Sequence, residues 1–596
     1  MKRSLVPTVF TIFVSVIFAI LAPLALAQAP APKVTITGLF DQVTAGGKNF
    51  YDGNLSRDGD REWYARTRFR PDFVFEVGRT KAVLGLEIDI MYGQAGASDG
   101  GFPGNNSGSG GGNAAVGGGP GGTKANTNGA FDLNTDVGGM IEIKWMYTEF
   151  DLTGKDSLMP FIPVSTVARA GAQPFASLAS YKVASYANGD FAGVSGVTAW
   201  APNIKTSLAY IILEDQLAGS NRGIPSTRFT RGEDYSVIFS PEITPFKGLD
   251  LKPLFSWLHA DGRTASSSRA NLANPRTVGG SMNGAAAFCN TNTLTPTVTD
   301  FVPATTNAAG ALVADTTSAC SNGGDPTYHE NRYTVGLDAR WRIGPFGLDP
   351  TLYYQWGSST TQGAKTDGSI GRVDGDLSAW LFDTIASYQL GPMLFEFRGI
   401  YSPGNQARDN LSKSKRYYQP LTADGSYYTG WAAILATGTD YFNGGFLPMS
   451  RWIGYDRYGR AGFGLRATYS ITPALSVYGI VSPTWTAEKV DTDTGVQAAS
   501  ATANSGSGSI NRTIQSDHSF VKGDSNYLGT EVDVGFTWRF APNTAFDLQG
   551  AWLSAGDALN TAECIGGTAP VCAGGSLVRR DASDGYQLAA RVRLAF

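Results

Sequence analysis

The last thirteen residues, Asp584–Phe596, alternate so regularly that they fix the kind of wall this chain builds. Tyr586, Leu588, Ala590, Val592, Leu594 and Phe596 share one face of an extended strand, and Gln587, Arg591 and Arg593 share the other. Two arginines alternating with aliphatics do not fit a closed apolar core. They do fit a sheet with lipid on one side and water on the other. The competing reading, the edge strand of a soluble sandwich, finds no support in the rest of the chain.

At the other end, Lys2 and Arg3 precede a mostly apolar run from Val9 to Leu26 that closes on Ala25-Leu26-Ala27. A charged start, an apolar middle and small residues at the cut are the parts of a secretory signal, so residues 1–27 are read as a leader and residues 28–596 as one mature domain. An uncleaved anchor helix is the alternative. No later segment carries enough consecutive apolar residues to cross a bilayer as a helix, which leaves a barrel as the membrane-spanning option. Composition agrees with it: 74 glycines and 12% aromatics accompany only 42% hydrophobic residues, a poor recipe for a large dry core. Losing Lys2 and Arg3 takes the net charge from −4 to −6, too mild to imply nucleic acid as a partner.

Eighteen strand-like runs follow, from 33–43 to 584–596, the fifth read at 158–170. Short connections such as Gly78–Lys81, Gly344–Phe346, Gly391–Pro392 and Ala541–Asn543 alternate with long polar stretches at 94–137, 261–330, 403–457, 488–526 and 556–583. The predicted fold class is all-β: a transmembrane antiparallel β-barrel of about 18 strands with short periplasmic turns and long extracellular loops. Ser98–Gly122 is almost wholly Gly, Asn and Ser and cannot fold alone. Its glycine strings lack the Lys-Ser/Thr of a phosphate loop. Four cysteines in an exported chain suggest disulfides, and the sequence-local choice among three connectivities is Cys289 with Cys320 and Cys564 with Cys572.

If the apolar parity of each strand faces lipid, the lumen can be read from its neighbours. In the second strand Arg66, Arg68 and Arg70 point inward; in the third, Glu87 and Asp89. The fourth places Ile141, Ile143, Trp145 and Tyr147 outside and Glu142 and Lys144 inside, then slips at Glu149 and Phe150, as at a bulge or where a strand leaves the membrane. The tenth offers Asp338, Arg340 and Arg342, the thirteenth Glu396 and Arg398, the fourteenth Arg460 and Arg466, the sixteenth Glu531, Asp533 and Arg539, and the last Arg591 and Arg593. Charges recurring on the non-lipid face need water there. Adjacent ladders of opposite sign would orient polar solutes or, on the plainer reading, hold the wall together as salt bridges.

The opening strand VTITGLFDQV at Val34–Val43, the turn and loop alternation, the inward arginines and the terminal RVRLAF at Arg591–Phe596 together resemble the outer-membrane porins of Gram-negative bacteria, both the general trimeric porins and their eighteen-stranded substrate-selective relatives. The resemblance spans the mature chain. It implies passive diffusion of small hydrophilic solutes and ions, a homotrimer in outer-membrane lipid, recognition of Phe596 by the barrel assembly machinery, and a third long loop folded into the channel, here about Gly171–Asp190, whose single acid is Asp190. With so few acids there, Glu87, Asp89 and Glu142 are the expected source of negative charge at the constriction.

No cofactor or metal is implied. His259, His329 and His518 lack the spacing of a nucleophilic site, so an outer-membrane enzyme is a remote alternative. The chain has no haem-attachment motif of its own, but it could still sheath a separate cytochrome in an electron conduit. Asp52–Asp60 and Asp491–Asp493 do not match a calcium loop.

Overall fold

A computed structural model describes residues 31–49, 61–92, 131–132, 139–174, 186–187, 190–215, 233–261, 305–306, 312–313, 329–364, 370–406, 414–421, 431–437, 458–490, 495–496, 512–513, 525–565 and 576–596. Strand alternation does what the sequence demands. Eighteen long strands form the barrel: β1 Lys33–Lys48, β2 Arg61–Val77, β3 Thr80–Tyr92, β4 Gly139–Thr153, β5 Ser165–Pro174, β6 Asp190–Ala201, β7 Ile204–Asp215, β8 Glu233–Phe246, β9 Leu249–Asp261, β10 His329–Ile343, β11 Phe346–Ala364, β12 Ile370–Leu390, β13 Met393–Ser402, β14 Arg460–Ser470, β15 Leu475–Val490, β16 Ser525–Ala541, β17 Thr544–Ala555 and β18 Gly585–Ala595. Each pairs antiparallel with its chain neighbours, and β18 pairs with β1 from Leu39↔Ala595 to Lys48↔Tyr586, so the sheet closes without an edge.

The outward parity is apolar. Val534, Leu588, Leu352, Phe346 and Trp538 are exposed there, as lipid requires, while charged residues occupy the inner parity. This is the architecture of an outer-membrane barrel. No helix among the described residues is long and apolar enough to cross a membrane.

At the seam, Gly38 and Phe596 exchange backbone hydrogen bonds of 2.9 and 3.1 Å, and the Phe596 ring packs near Phe40 and Phe69. The short rim is made largely of two-residue turns. Gly344 and Gly391 adopt φ of +54° and +55°, which a side chain would resist.

Two expectations need correction. The fifth strand begins at Ser165 rather than at 158. Pro160 and Pro163 cannot donate to a ladder, so residues 154–164 fold into a turn closed by Gly154 N–H to Ile162 O at 2.9 Å, with Phe161 78% exposed at its tip. The fourth strand contains a β-bulge. Gly85 faces Trp145 and Leu86 faces Ile143, which leaves Lys144 as the extra residue and reverses the parity after it. Met146 is therefore outside, 54% exposed, and Trp145, Tyr147 and Glu149 face the lumen rather than the lipid, which explains the slip at Glu149 and Phe150.

Of the cysteines, only the backbone of Cys564 is described, paired with Leu577 in a four-stranded sheet formed by the last two long connections. Cys289, Cys320 and Cys572 lie outside the described residues, as does the leader 1–27.

Candidate functional site

The inner wall is organised around charge pairs. Glu87 on β3 sits between three cations: Arg68 Nη2 at 2.9 Å and Arg70 Nε at 2.5 Å from β2, and Lys144 Nζ at 3.3 Å from β4. Arg66, Asp89 and Glu142 belong to the same strands, with Arg68 opposite Asp89 and Glu87 opposite Glu142, but their side chains lie outside the described residues. The acid of this cluster thus stands within the basic wall, on the neighbouring strand.

The same arrangement recurs around the barrel. Arg169 on β5 pairs with Glu149 at 2.7 Å, Arg342 with Asp349 through Nη2 at 2.8 Å, Arg466 with Glu396 at 2.5 Å, and Arg398 with Asp383 through two bonds of 3.0 and 2.8 Å. Arg591 grips Asp41 on β1 with two bonds of 2.6 Å, and Arg593 grips Asp547 on β17 at 2.8 and 3.0 Å. Asp338 accepts from Thr351 at 2.7 Å, and Arg340 lies on the same parity of β10.

Several of these pairs show an asymmetry that strand parity does not reveal, whereas Arg398 and Asp383 are both buried. Arg70 is 37% exposed against 8% for Glu87, Arg593 39% against 7% for Asp547, and Arg342 44% against 8% for Asp349. Long cationic stems carry their charge toward water, while short carboxylates stay against the wall. In these three pairs the charges cancel formally, yet the cation is the more exposed member. The order reverses at Lys252–Glu242.

A second feature narrows the bore. The connection between β13 and β14 enters the barrel, and its described stretches 414–421 and 431–437 form a strap against the inner wall. β12 extends beyond β13, and Ser414–Lys415 occupies that spare edge in parallel with Asp376–Leu377. The Gln355 side chain then bonds both backbone groups of Gln419, Nε2 to O at 2.7 Å and N–H to Oε1 at 2.9 Å. Lys415 and Arg332 converge on the buried Glu330, at 3.6 and 3.3 Å, and Tyr418 stacks on Tyr353.

Further along, the Trp431 ring receives the Arg466 guanidinium of β14. The N–H groups of Ile434 and Leu435 donate to Glu531 at 2.7 and 2.8 Å, and that of Ala433 donates to Asp533 at 3.2 Å. These three N–H groups open a short helical turn, and the two carboxylates of β16 accept them. Strap contacts therefore bury the inner faces of β10–β12 and β16.

The stretch expected to fold inward, Gly171–Asp190, does contribute. Tyr186 is buried, its hydroxyl bonds Ser256 on β9 at 2.9 Å, and its carbonyl accepts from Leu421 of the strap at 2.7 Å. Asp190 instead opens β6 opposite Pro174. The larger inward element was missed in the sequence, although aromatic and aliphatic clusters at Tyr417–Tyr418 and Trp431–Leu435 inside a polar loop were a signal for it.

His259 bonds Asn331 at 2.9 Å on the outer parity, and no group of His, Cys, Asp or Glu among the described residues is arranged to hold a metal ion.

No protein-family model and no curated protein sequence matches the chain. Among solved structures it is similar to Pseudomonas aeruginosa OccK8 (OprE), with TM-score 0.42 and 11% identity over 95% of this chain and 98% of that one. A BenF-like porin from Pseudomonas fluorescens Pf-5 gives TM-score 0.41 and 10% identity over 95% and 99%, and Acinetobacter baumannii OccAB4 gives 0.42 and 8% over 96% and 100%. The barrel stands on its own strand register rather than on these likenesses.

Proposed function

We propose that this barrel is an outer-membrane porin: a water-filled channel for passive diffusion of small hydrophilic solutes and ions, with a preference for anions. The observation that carries the reading is the exposure asymmetry of the ion pairs on β2–β5, where Arg70 and Arg169 are the more exposed members and Glu87 and Glu149 lie beneath them. With the strap against β10–β12 and β16, the route left for water runs along β2–β5, where Arg68, Arg70, Lys144 and Arg169 remain partly exposed. A low-dielectric wall beside such a route amplifies the sign of charge it presents. The strap also takes up bore that a cytochrome sheath would need for its partner, which weighs against that alternative.

Replacing Arg66, Arg68 and Arg70 together with Ser tests the reading. Three cations leave one ladder without any change to the lipid face, so the barrel folds and the reversal potential in a KCl gradient moves toward cation selectivity. An unmoved potential would mean that these residues do not line the route.

A further inference from the structure

We propose that the inner wall of β3–β5 is a stacking station for saccharides of the pyranose class, with Trp145 as its platform; this deepens the porin reading and depends on it. The bulge at Lys144 turns Trp145 inward, and Gly85 on the adjoining strand makes room for it. A Cβ at Gly85 would lie 1.9–2.4 Å from three atoms of the indole, so the ring rests directly on the β3 backbone. Asp72 of β2 lies near its N–H, and Lys144 Nζ stands 5.6 Å from its centroid. Trp145 is thus seated against the β3 backbone and beside an ammonium before any solute arrives.

Tyr147 follows on the same face, about 7 Å along the strand, with the Arg169 guanidinium 5.1 Å from its centroid. Both aromatic side chains stay only partly buried, whereas Tyr353, Tyr417 and Tyr418 under the strap are fully buried.

The polar groups around the platform decide between ring chemistries. Arg70, Lys144 and Arg169 donate, while Asp72, Glu87 and Glu149 accept, all on β2–β5. A sugar hydroxyl donates and accepts and so can use both members of a pair, whereas a carboxylate only accepts and is served by the cations alone. Stacking of the apolar face of a pyranose on indole supplies the remainder.

The test records single channels of the purified full-length protein in planar bilayers in KCl, with maltose added. Sorbitol serves as an acyclic polyol control and benzoate as a flat acceptor-only ring. Wild type shows a saturable current reduction with maltose and a weaker one with sorbitol. Trp145→Ala lowers the apparent maltose affinity about tenfold, Trp145→Phe restores part of it, and neither moves the reversal potential, since no charge changes. Trp145→Leu, which keeps bulk over Gly85 without a flat face, replaces the alanine variant if that fails to insert. Unaltered maltose affinity in these variants overturns the proposal, as does saturation by benzoate without saturation by maltose. Loss of KCl conductance in wild type would instead overturn the porin reading itself.

Discussion

Glu531→Leu isolates the anchor at the far end of the strap. In the wild type, its two oxygens accept the N–H groups of Ile434 and Leu435 at 2.7 and 2.8 Å in a fully buried site. Hydrogen bonds to a charged group contribute about 1.5–3 kcal/mol each, so the pair holds this end of the strap by roughly 3–6 kcal/mol. Even the lower figure corresponds to a more than hundredfold change in the ratio of seated to released strap, at about 1.4 kcal/mol per factor of ten. Toward the strap, Asp533 offers the 3.2 Å bond from Ala433, with its other bond going to Gln549 of the wall, and it does not compensate. Leucine also removes the buried charge itself, which keeps the barrel wall intact while the N–H groups turn to water. The assay is single-channel recording, with heat-modifiable migration on gels as the folding control. The variant opens to a larger and noisier conductance level, and Glu531→Gln, which keeps one acceptor oxygen, falls between it and wild type. Wild-type conductance and noise in a correctly folded Glu531→Leu barrel would refute the assignment of the strap as the constriction.

Two further outcomes follow from the seam. Deleting Phe596 removes its paired hydrogen bonds with Gly38 and its ring from beside Phe40 and Phe69, so less heat-modifiable barrel reaches the membrane while export continues; an unchanged yield contradicts this. Asp41→Ala leaves Arg591 without its bidentate partner in a largely buried site and destabilises the barrel by about 3–5 kcal/mol, read as a lower temperature for conversion to the unfolded gel form.

The barrel was legible because its signal is local. Each strand states its own two faces, as Gly585–Ala595 does most plainly, and eighteen such statements with alternating connection lengths leave little topological freedom. The side-chain directions at Trp145 and Tyr147 were not, since one inserted residue at Lys144 reverses every position after it; the sequence registered the bulge only as a conflict at Glu149 and Phe150. Pro160 and Pro163 displaced the fifth strand for a similarly local reason. Parity singles out the charged face of each strand, but which member of a pair is the more exposed depends on stem length and on the neighbouring strand, and neither is visible one strand at a time. The strap was hardest to see. Gln355 with Gln419 and Glu531 with Ile434 are contacts between residues far apart in the chain, and no periodicity announces them.

The most direct measurement of the central claim is the zero-current potential of the purified wild-type protein in a planar bilayer across a KCl gradient. An open aqueous lumen lined by exposed arginines and lysines predicts a steady ohmic conductance with a potential of the sign set by chloride. A potential of the sign set by potassium, or a reconstituted barrel that passes no current, would contradict it.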